Sequence, residues 1–123
     1  MRIGLVGLGR MGANMAERLR RHGHEVETYA RTDPARTVTS LEELVSKLEP
    51  PRVVWLMVPA GDATEGAYGT MLGLLDPGDV LVDGGNSNFR DSQRRWKGAA
   101  GKGIRYLDAG VSGGIWGSRA ATA

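Results

Sequence analysis

The sequence predicts an α/β fold built on a doubly wound, mainly parallel β-sheet. Short apolar runs alternate with segments of helical periodicity, which is the pattern of βαβ units. The first apolar run, 3–6, is unbroken, as expected for a strand that is buried on both faces. The chain has 123 residues, which is enough for one domain with a core but not for two full domains.

The order of elements follows from periodicity and from capping residues. The first helix is amphipathic because Met11, Met15 and Leu19 recur at intervals of four residues. The second begins at a capping box in which Ser40 is followed three residues later by Glu43. The predicted strands are 3–6, 26–30, 52–58, 80–82 and 104–107. The predicted helices are 11–23, 40–48, 63–75 and 88–102.

Composition excludes several classes of function. The 16 basic and 14 acidic residues give a net charge of only +2, and one Phe and three Tyr offer few rings for a nucleic-acid surface. The absence of cysteine excludes disulfides, thiol catalysis and Cys-ligated zinc, and two histidines do not make a metal site. No apolar run approaches the ~18 residues of a membrane span. We expect a cytoplasmic protein that binds neither metal, membrane nor nucleic acid.

The loop after the first strand fits the pattern G-x-G-x-x-G. Gly7 would allow the tight turn, Gly9 would let the backbone approach a pyrophosphate, and Gly12 would let the helix pack on the strand. The pattern directly follows a predicted strand and opens a predicted helix, which is the context that the dinucleotide fingerprint requires. The fold is therefore predicted to be Rossmann-like. The alternative is a glycine-rich turn that holds no ligand.

The end of the second strand bears on the choice of cofactor. NAD enzymes of this fold usually carry an acidic residue there, which binds the ribose 2′-hydroxyl. This chain has Ala30, Arg31 and Thr32 instead, so no carboxylate repels a 2′-phosphate and an arginine is available to bind it. The sequence therefore favours NADP, and NAD stays possible. In the alternative, Arg31 is solvated and Asp33 takes the acidic role.

Three later strand ends carry unusual sequences, at 59–61, 83–88 and 108–114. Because ligands bind at the carboxyl ends of parallel strands, we expect all three on one rim of the sheet. Asp83 is predicted to fix its loop rather than to act as a catalyst. The neighbouring pair Arg94 and Arg95 is predicted to form a solvated helix face, and Trp96 is predicted to pack in the interior.

Three motifs in this order resemble a known family. The opening "GLGRMGANMAERLRRHGHEV" is similar to the β-hydroxyacid dehydrogenase superfamily, and "DAGVSGG" resembles its substrate loop. The sequence "DGGNSNFRD" narrows the resemblance to the 6-phosphogluconate dehydrogenases, because related hydroxyisobutyrate enzymes usually carry a Ser-Thr pair there.

The resemblance implies oxidation of 6-phosphogluconate at C3 by NADP or NAD, followed by decarboxylation to ribulose 5-phosphate. It implies a substrate site at Asn86, Ser112, Gly113 and Gly114. It implies a cofactor site at Gly7, Leu8, Gly9, Arg10, Met11, Gly12, Ala30, Arg31, Thr32, Val58, Pro59, Ala60 and Asn86. The alternatives without a ligand are that Asn86 caps the following helix and that 112–114 form a flexible turn. Family members usually have Asn or Asp where this chain has Ala30, so the choice between NADP and NAD stays open. Full-length members are expected to be homo-oligomers.

The resemblance also implies parts that this sequence lacks. Residues 1–117 are expected to be an NAD(P)-binding domain that is incomplete at its C-terminus, and 118–123 do not resemble the family. The family's catalytic Lys, its general-acid Glu and its C-terminal helical domain are not found, so no catalytic residue is assigned. We expect the chain by itself to bind dinucleotide weakly and to be inactive. The alternatives are another β-hydroxyacid dehydrogenase, of the hydroxyisobutyrate or tartronate semialdehyde type, and a non-catalytic NAD(P)-binding module.

Overall fold

The computed structural model of the chain describes residues 2–31, 35–58, 61–85 and 89–109. Strands and helices alternate along the whole of this length. The strands are β1 (Arg2–Val6), β2 (Glu25–Tyr29), β3 (Val53–Leu56), β4 (Val80–Asp83) and β5 (Arg105–Asp108). The helices are α1 (Arg10–Arg21), α2 (Leu41–Ser46), α3 (Asp62–Leu74) and α4 (Phe89–Ala100).

The five strands form one parallel sheet in the order β2-β1-β3-β4-β5. In the register of the sheet, Leu5 on β1 lies beside Thr28 on β2 and Trp55 on β3. From β1 the chain moves one way to reach β2, and from there it crosses back to build β3, β4 and β5 on the other side. The predicted doubly wound, Rossmann-like fold is confirmed. A sheet wound in this way has a crevice between β1 and β3, at the carboxyl ends of the strands.

Each face of the sheet carries its own core. Leu5, Ala16 and Val26 form a small cluster under α1. The neighbouring positions on the strands point the other way, and Val6 joins a larger cluster with residues of the other three helices. Leu44, Val54, Leu56, Met71 and Leu81 of this second cluster are all fully buried. Burial of each such side chain contributes roughly 1.5–3 kcal/mol to the free energy of unfolding. The larger core therefore contributes more to stability than the smaller one.

The capping box at the start of α2 forms with one difference from the expectation. Ser40 Oγ accepts a hydrogen bond from the Glu43 amide at 3.0 Å, as predicted. The Glu43 carboxylate reaches one residue further back than usual and accepts from the Thr39 amide at 2.8 Å. This hydrogen bond lowers the pKa of Glu43, because it favours the charged form.

A buried carboxylate holds the turn between α3 and β4. Asp79 is fully buried and accepts hydrogen bonds from the amides of Arg52, at 2.7 Å, and Asp76, at 2.8 Å. The Arg52 guanidinium lies 3.1 Å from the same carboxylate. Burial by itself would raise the pKa of Asp79, but these hydrogen bonds and the Arg52 charge lower it on balance. The turn is thereby tied to the start of β3.

Helix α3 forms despite three glycines. Thr64, Tyr68 and Met71 recur at helical spacing and are all buried, and Tyr68 and Met71 belong to the larger core. A Cβ placed at Gly66, Gly69 or Gly73 would meet nothing within 4 Å, so these glycines lie on the open side of the helix. Packing of one face therefore outweighs the weak helix propensity of glycine. In the part of the chain that the structure describes, no helix is long and apolar enough to cross a membrane.

Helices α3 and α4 are joined by a cluster of charges. Arg94 donates to both carboxylate oxygens of Glu65, at 2.8 and 3.0 Å, and Arg95 Nε donates to the same carboxylate at 3.0 Å. The hydrogen bonds from Arg94 and then Arg95 lower the pKa of Glu65 from its ordinary value of 4.5 to about 2. The Glu65 side chain is 42% exposed, so solvent screens part of the attraction.

We expect the Glu65 cluster to contribute a pH-dependent stability. A carboxylate whose pKa is depressed on folding contributes fully above its unfolded pKa of about 4.5, and its contribution is lost as pH falls toward about 2. Urea unfolding of the parent chain and of Glu65→Gln, from pH 7 to pH 2, measures this contribution as a difference. The difference should be on the order of 1 kcal/mol at pH 7 and should vanish near pH 2. A difference that stays constant down to pH 2 would contradict the assignment.

Candidate functional site

The carboxyl ends of the five strands meet at one rim of the sheet. The Gly7 amide donates to the carbonyl of Tyr29 at 2.8 Å, which joins the exits of β1 and β2. The Met57 amide donates to Val6 at 2.7 Å, and the Gly84 amide donates to Leu56 at 2.8 Å. The Ala109 amide after β5 also donates to the carbonyl of Asp83 at 3.0 Å. The three later strand ends therefore begin at one rim, as predicted, and the rest of their loops, at 59–60, 86–88 and 110–114, lies outside the described residues.

Two of the three fingerprint glycines are required by the packing of the chain itself. Gly7 has a φ of +102°, in the left-handed region that favours glycine, and a Cβ there would overlap the carbonyl oxygen of Met57. A Cβ at Gly12 would overlap the carbonyl oxygen of Gly7. These two residues let β1, the start of α1 and the end of β3 approach one another closely.

The third glycine has no such internal reason. Gly9 has an extended backbone, with φ −61° and ψ −179°, that any residue can adopt. A Cβ at Gly9 would meet no atom within 4 Å, so the space above it is open. The open space lies at the N-terminus of α1, where the first backbone N–H groups lack partners within the helix and favour an anion. Gly9 is the N-cap and has no side chain that could accept a hydrogen bond from these N–H groups. A pyrophosphate fits this arrangement.

Other predicted cofactor residues surround this opening. Arg10 and Met11 begin α1 and are exposed, Met11 to 48%. Val58 is half-buried, and its Cγ1 lies 3.1 Å from the Cβ position at Gly7. The Leu8 side chain instead packs against the cluster under α1, so any contact from Leu8 to a ligand would come from its backbone.

Two arginines lie at the end of β2. Arg31 is exposed, as expected for a residue available to a ligand. The Arg36 guanidinium donates to the carbonyls of Ala30, at 3.1 Å, and Arg31, at 2.7 Å. The sequence analysis missed Arg36, although its position five residues after Arg31 indicated a second positive charge near the end of β2. Its charge adds to that of Arg31 beside the half-buried Ala30.

Beneath the loop after β4 lies a buried polar network. Asp83 is fully buried, and its Oδ1 accepts the Gly85 amide at 2.8 Å. Its Oδ2 accepts the Tyr106 hydroxyl at 2.8 Å and Arg95 Nη1 at 3.3 Å. Burial, and then the hydrogen bond to Asp83, raise the pKa of Tyr106 well above its ordinary value, so the hydroxyl remains a donor. The prediction that Asp83 fixes its loop is confirmed.

Two predictions about α4 are wrong. Arg95 is only 1% exposed rather than solvated, because it faces the sheet to reach Asp83 and Glu65. Trp96, predicted to pack inside, is 57% exposed, because the next residue of a helix points about 100° away. Arg94, by contrast, is exposed as predicted. Trp96 borders a groove of about 380 Å³ between α4 and β5, which lies two strands away from the β1–β3 crevice.

Several predicted site residues lie outside the described part of the chain: Thr32, Pro59, Ala60, Asn86, Ser112, Gly113 and Gly114. The boundary between 1–117 and 118–123 lies there too and stays a prediction. Among the described residues, no three acidic, histidine or cysteine side chains come together to hold a metal ion.

Comparison with known proteins shows the family to which the chain belongs. Residues 2–123 match the model for the NAD binding domain of 6-phosphogluconate dehydrogenase. The decarboxylating 6-phosphogluconate dehydrogenase of Chlamydia pneumoniae is 42% identical over 95% of this chain and 27% of its own length. The chain thus spans about a quarter of the length of such relatives.

Solved structures agree with this match. The chain superposes on Plasmodium falciparum 6-phosphogluconate dehydrogenase, a structure described with NADP+ and with 6-phosphogluconate, with a TM-score of 0.77 and 26% identity over 99% of this chain and 32% of that one. It superposes on Mycobacterium tuberculosis 3-hydroxyisobutyrate dehydrogenase with a TM-score of 0.76 and 32% identity over 98% of this chain and 43% of that one. The chain belongs to the family of NAD-binding domains of 6-phosphogluconate dehydrogenase.

Proposed function

We propose that this chain is the NADP-binding part of a 6-phosphogluconate dehydrogenase, a cytoplasmic enzyme that oxidises and decarboxylates 6-phosphogluconate to ribulose 5-phosphate. The observation that carries the proposal is the difference among the fingerprint glycines. Backbone atoms occupy the space where a Cβ at Gly7 or Gly12 would lie. The corresponding space at Gly9 is open, at the N-terminus of α1. A turn built only for packing would have no need of glycine at position 9.

The dinucleotide would lie across the rim in a direction set by the order of the strands. Adenosine would bind at the end of β2, the pyrophosphate at Gly9 and the first turn of α1, and nicotinamide toward β3 and β4. Exposed Met11 and half-buried Val58 would contact the ligand through apolar surface. The bound nicotinamide supplies the hydride chemistry, and the residues of the chain bind and orient it.

Positive charge at the end of β2 supports a ligand with a 2′-phosphate. Arg31 is exposed, while the Arg36 guanidinium donates to two backbone carbonyls and adds a second charge nearby. Arginine binds phosphate through paired N–H donors. By resemblance, Asn86 would contact both nicotinamide and substrate, and Ser112, Gly113 and Gly114 would bind 6-phosphogluconate.

Proton transfer is the part of the reaction that the described residues do not supply. Oxidation of a secondary alcohol requires a base as hydride leaves, and protonation after loss of CO₂ requires an acid. The predicted cofactor residues whose side chains the structure describes are Leu8, Arg10, Met11, Ala30, Arg31 and Val58, and none of these side-chain types titrates near neutral pH. His22 and His24 follow the C-terminal end of α1 and precede β2, so they lie at the amino ends of the strands, away from the rim. We propose that these proton transfers need residues outside this sequence.

Separate replacement of Gly9 and of Gly12 should distinguish an effect on ligand binding from an effect on folding. Gly9→Ala should change the free energy of unfolding by no more than about 1 kcal/mol, the scale of N-cap preferences. It should weaken NADP+ binding at least tenfold, because the methyl group enters the pyrophosphate space. Gly12→Ala should cost about 1–3 kcal/mol of stability, because its Cβ meets backbone. Calorimetric titration and urea unfolding measure the two effects.

A matched control is Gly69→Ala, in the interior of α3 and away from the rim. It should leave NADP+ binding unchanged and stabilise the helix by about 0.5–1 kcal/mol, because its Cβ lies in open space. Unchanged NADP+ binding by Gly9→Ala would contradict the proposed pyrophosphate site.

Arg31→Ala should discriminate between the two dinucleotides. Loss of a charge-assisted hydrogen bond to a phosphate costs about 1.5–3 kcal/mol, so NADP+ affinity should fall about 10- to 100-fold. NAD+ affinity should change little, because that ligand has no 2′-phosphate. Parallel titrations measure both, with Arg18→Ala on the exposed far end of α1 as the control. An equal loss for both ligands would assign Arg31 to adenine stacking instead.

Substrate synergy and turnover test the assignment to this dehydrogenase. We expect 6-phosphogluconate to strengthen NADP+ binding by the 123-residue chain, whereas 3-hydroxyisobutyrate should have no effect. The second ligand is the relevant competitor because of the 32% identity to the hydroxyisobutyrate enzyme. NADPH formation, followed by absorbance, should stay at the background rate. Substantial turnover would place the missing base and acid within this chain, and absence of synergy would favour a non-catalytic NAD(P)-binding module.

A further inference from the structure

Two opposite charges are buried beneath the loop that follows β4. Asp83 on β4 is 0% exposed and Arg95 on α4 is 1% exposed, and their side chains lie 3.3 Å apart. Desolvation of two charges is expensive, and apolar residues of similar volume often stabilise a core equally well. The pair therefore calls for a role that an apolar pair would not fill.

The two oxygens of Asp83 serve different parts of the fold. Oδ2 accepts hydrogen bonds from Tyr106 on β5 and Arg95 on α4, and Oδ1 accepts the amide of Gly85. Arg95 is in turn bound by Glu65 of α3 at 3.0 Å. The carboxylate thus connects one loop amide at the rim to three elements of the core.

The same loop is held from its other side by β3. The Gly84 amide donates to the carbonyl of Leu56 at 2.8 Å. Gly85 packs so closely on the carbonyl oxygen of Val58 that a Cβ at this position would overlap it. Gly84 and Gly85 are therefore fixed between the end of β3 and the Asp83 carboxylate, immediately before Asn86 in the sequence.

We infer that Asp83 is a positioning residue for the nicotinamide half of the dinucleotide site, held in place by Arg95 and Tyr106. The inference rests on the proposed function, because it takes the loop after β4 as the nicotinamide end. Because Asp83 is fully buried, it would act through the loop that it holds and not by contact with the ligand. It fixes the amide of Gly85, and with it the direction in which the chain leaves β4.

A pair of tyrosines in the same core provides a matched test. Tyr106→Phe removes the hydrogen bond to Asp83 and keeps the ring, which packs edge to face on Tyr68 with 5.8 Å between centroids. Tyr68→Phe removes an equally buried hydrogen bond, from Tyr68 Oη to the carbonyl of Arg95 at 2.8 Å, without touching Asp83. Both variants should fold and should lose similar stability in thermal unfolding monitored by circular dichroism.

Two probes then separate the halves of the site: NADP+, which reaches both halves, and adenosine 2′,5′-bisphosphate, which reaches only the adenosine half. In Tyr106→Phe, NADP+ affinity should fall about three- to tenfold while affinity for the bisphosphate is unchanged, as expected for loss of one buried hydrogen bond. In Tyr68→Phe, the ratio of the two affinities should equal that of the parent chain. Asp83→Asn, which removes the negative charge that pairs with Arg95, should shift the ratio further in the same direction.

The outcomes are distinguishable. A uniform loss for both probes in Tyr106→Phe, or no loss for either, would overturn the positioning role and leave the proposed function intact. The same shift in ratio in Tyr68→Phe would also overturn it, because general loosening of the core would explain the result. Failure of the parent chain to bind either probe would overturn both the proposed function and the inference that rests on it.

Discussion

The close approach of three backbone segments at the end of β1 is the constraint on which the rest of the structure depends. The turn at Gly7, the first turn of α1 and the end of β3 pass so near one another that carbonyl oxygens occupy the space of two missing side chains. This contact brings the N-terminus of α1 directly over the crevice between β1 and β3. With bulkier residues the helix would have to move away from the sheet, and its unpaired N–H groups would no longer point to the crevice.

Much of this arrangement was predictable because it is encoded locally. The run 3–6, the helical spacing of Met11, Met15 and Leu19, and the capping box at Ser40 each depend on residues that are close in the sequence. The winding of the sheet then follows from the alternation of strands and helices, since connections between parallel strands are right-handed. The glycine pattern was informative for the same reason, because the turn and the helix that it opens are adjacent in the chain.

The features that were missed depend on partners distant in sequence. Arg95 was assigned to a solvated face because it stands beside Arg94 in a basic stretch of the chain. Its partners are Asp83 and Glu65, which are 12 and 30 residues away. Periodicity has no information about which charge on another element a side chain will meet. Arg36 was missed because its role is to bind the carbonyls of a turn, a contact that no motif records.

The two ends of the proposed dinucleotide site are built on different principles. At the β2 end, at the edge of the sheet, charge is supplied by an exposed arginine and by a second one that donates to two backbone carbonyls. At the β4 end, nearer the middle of the sheet, the loop is tied to a fully buried carboxylate that is shared with three core elements. Under the proposed function, substitution of the exposed Arg31 should change which dinucleotide binds at little cost in stability, because this side chain is exposed. Changes at the second end alter packing and geometry together, because the groups that would aim the reactive half of the ligand are the same groups that hold α3, α4 and β5 on the sheet.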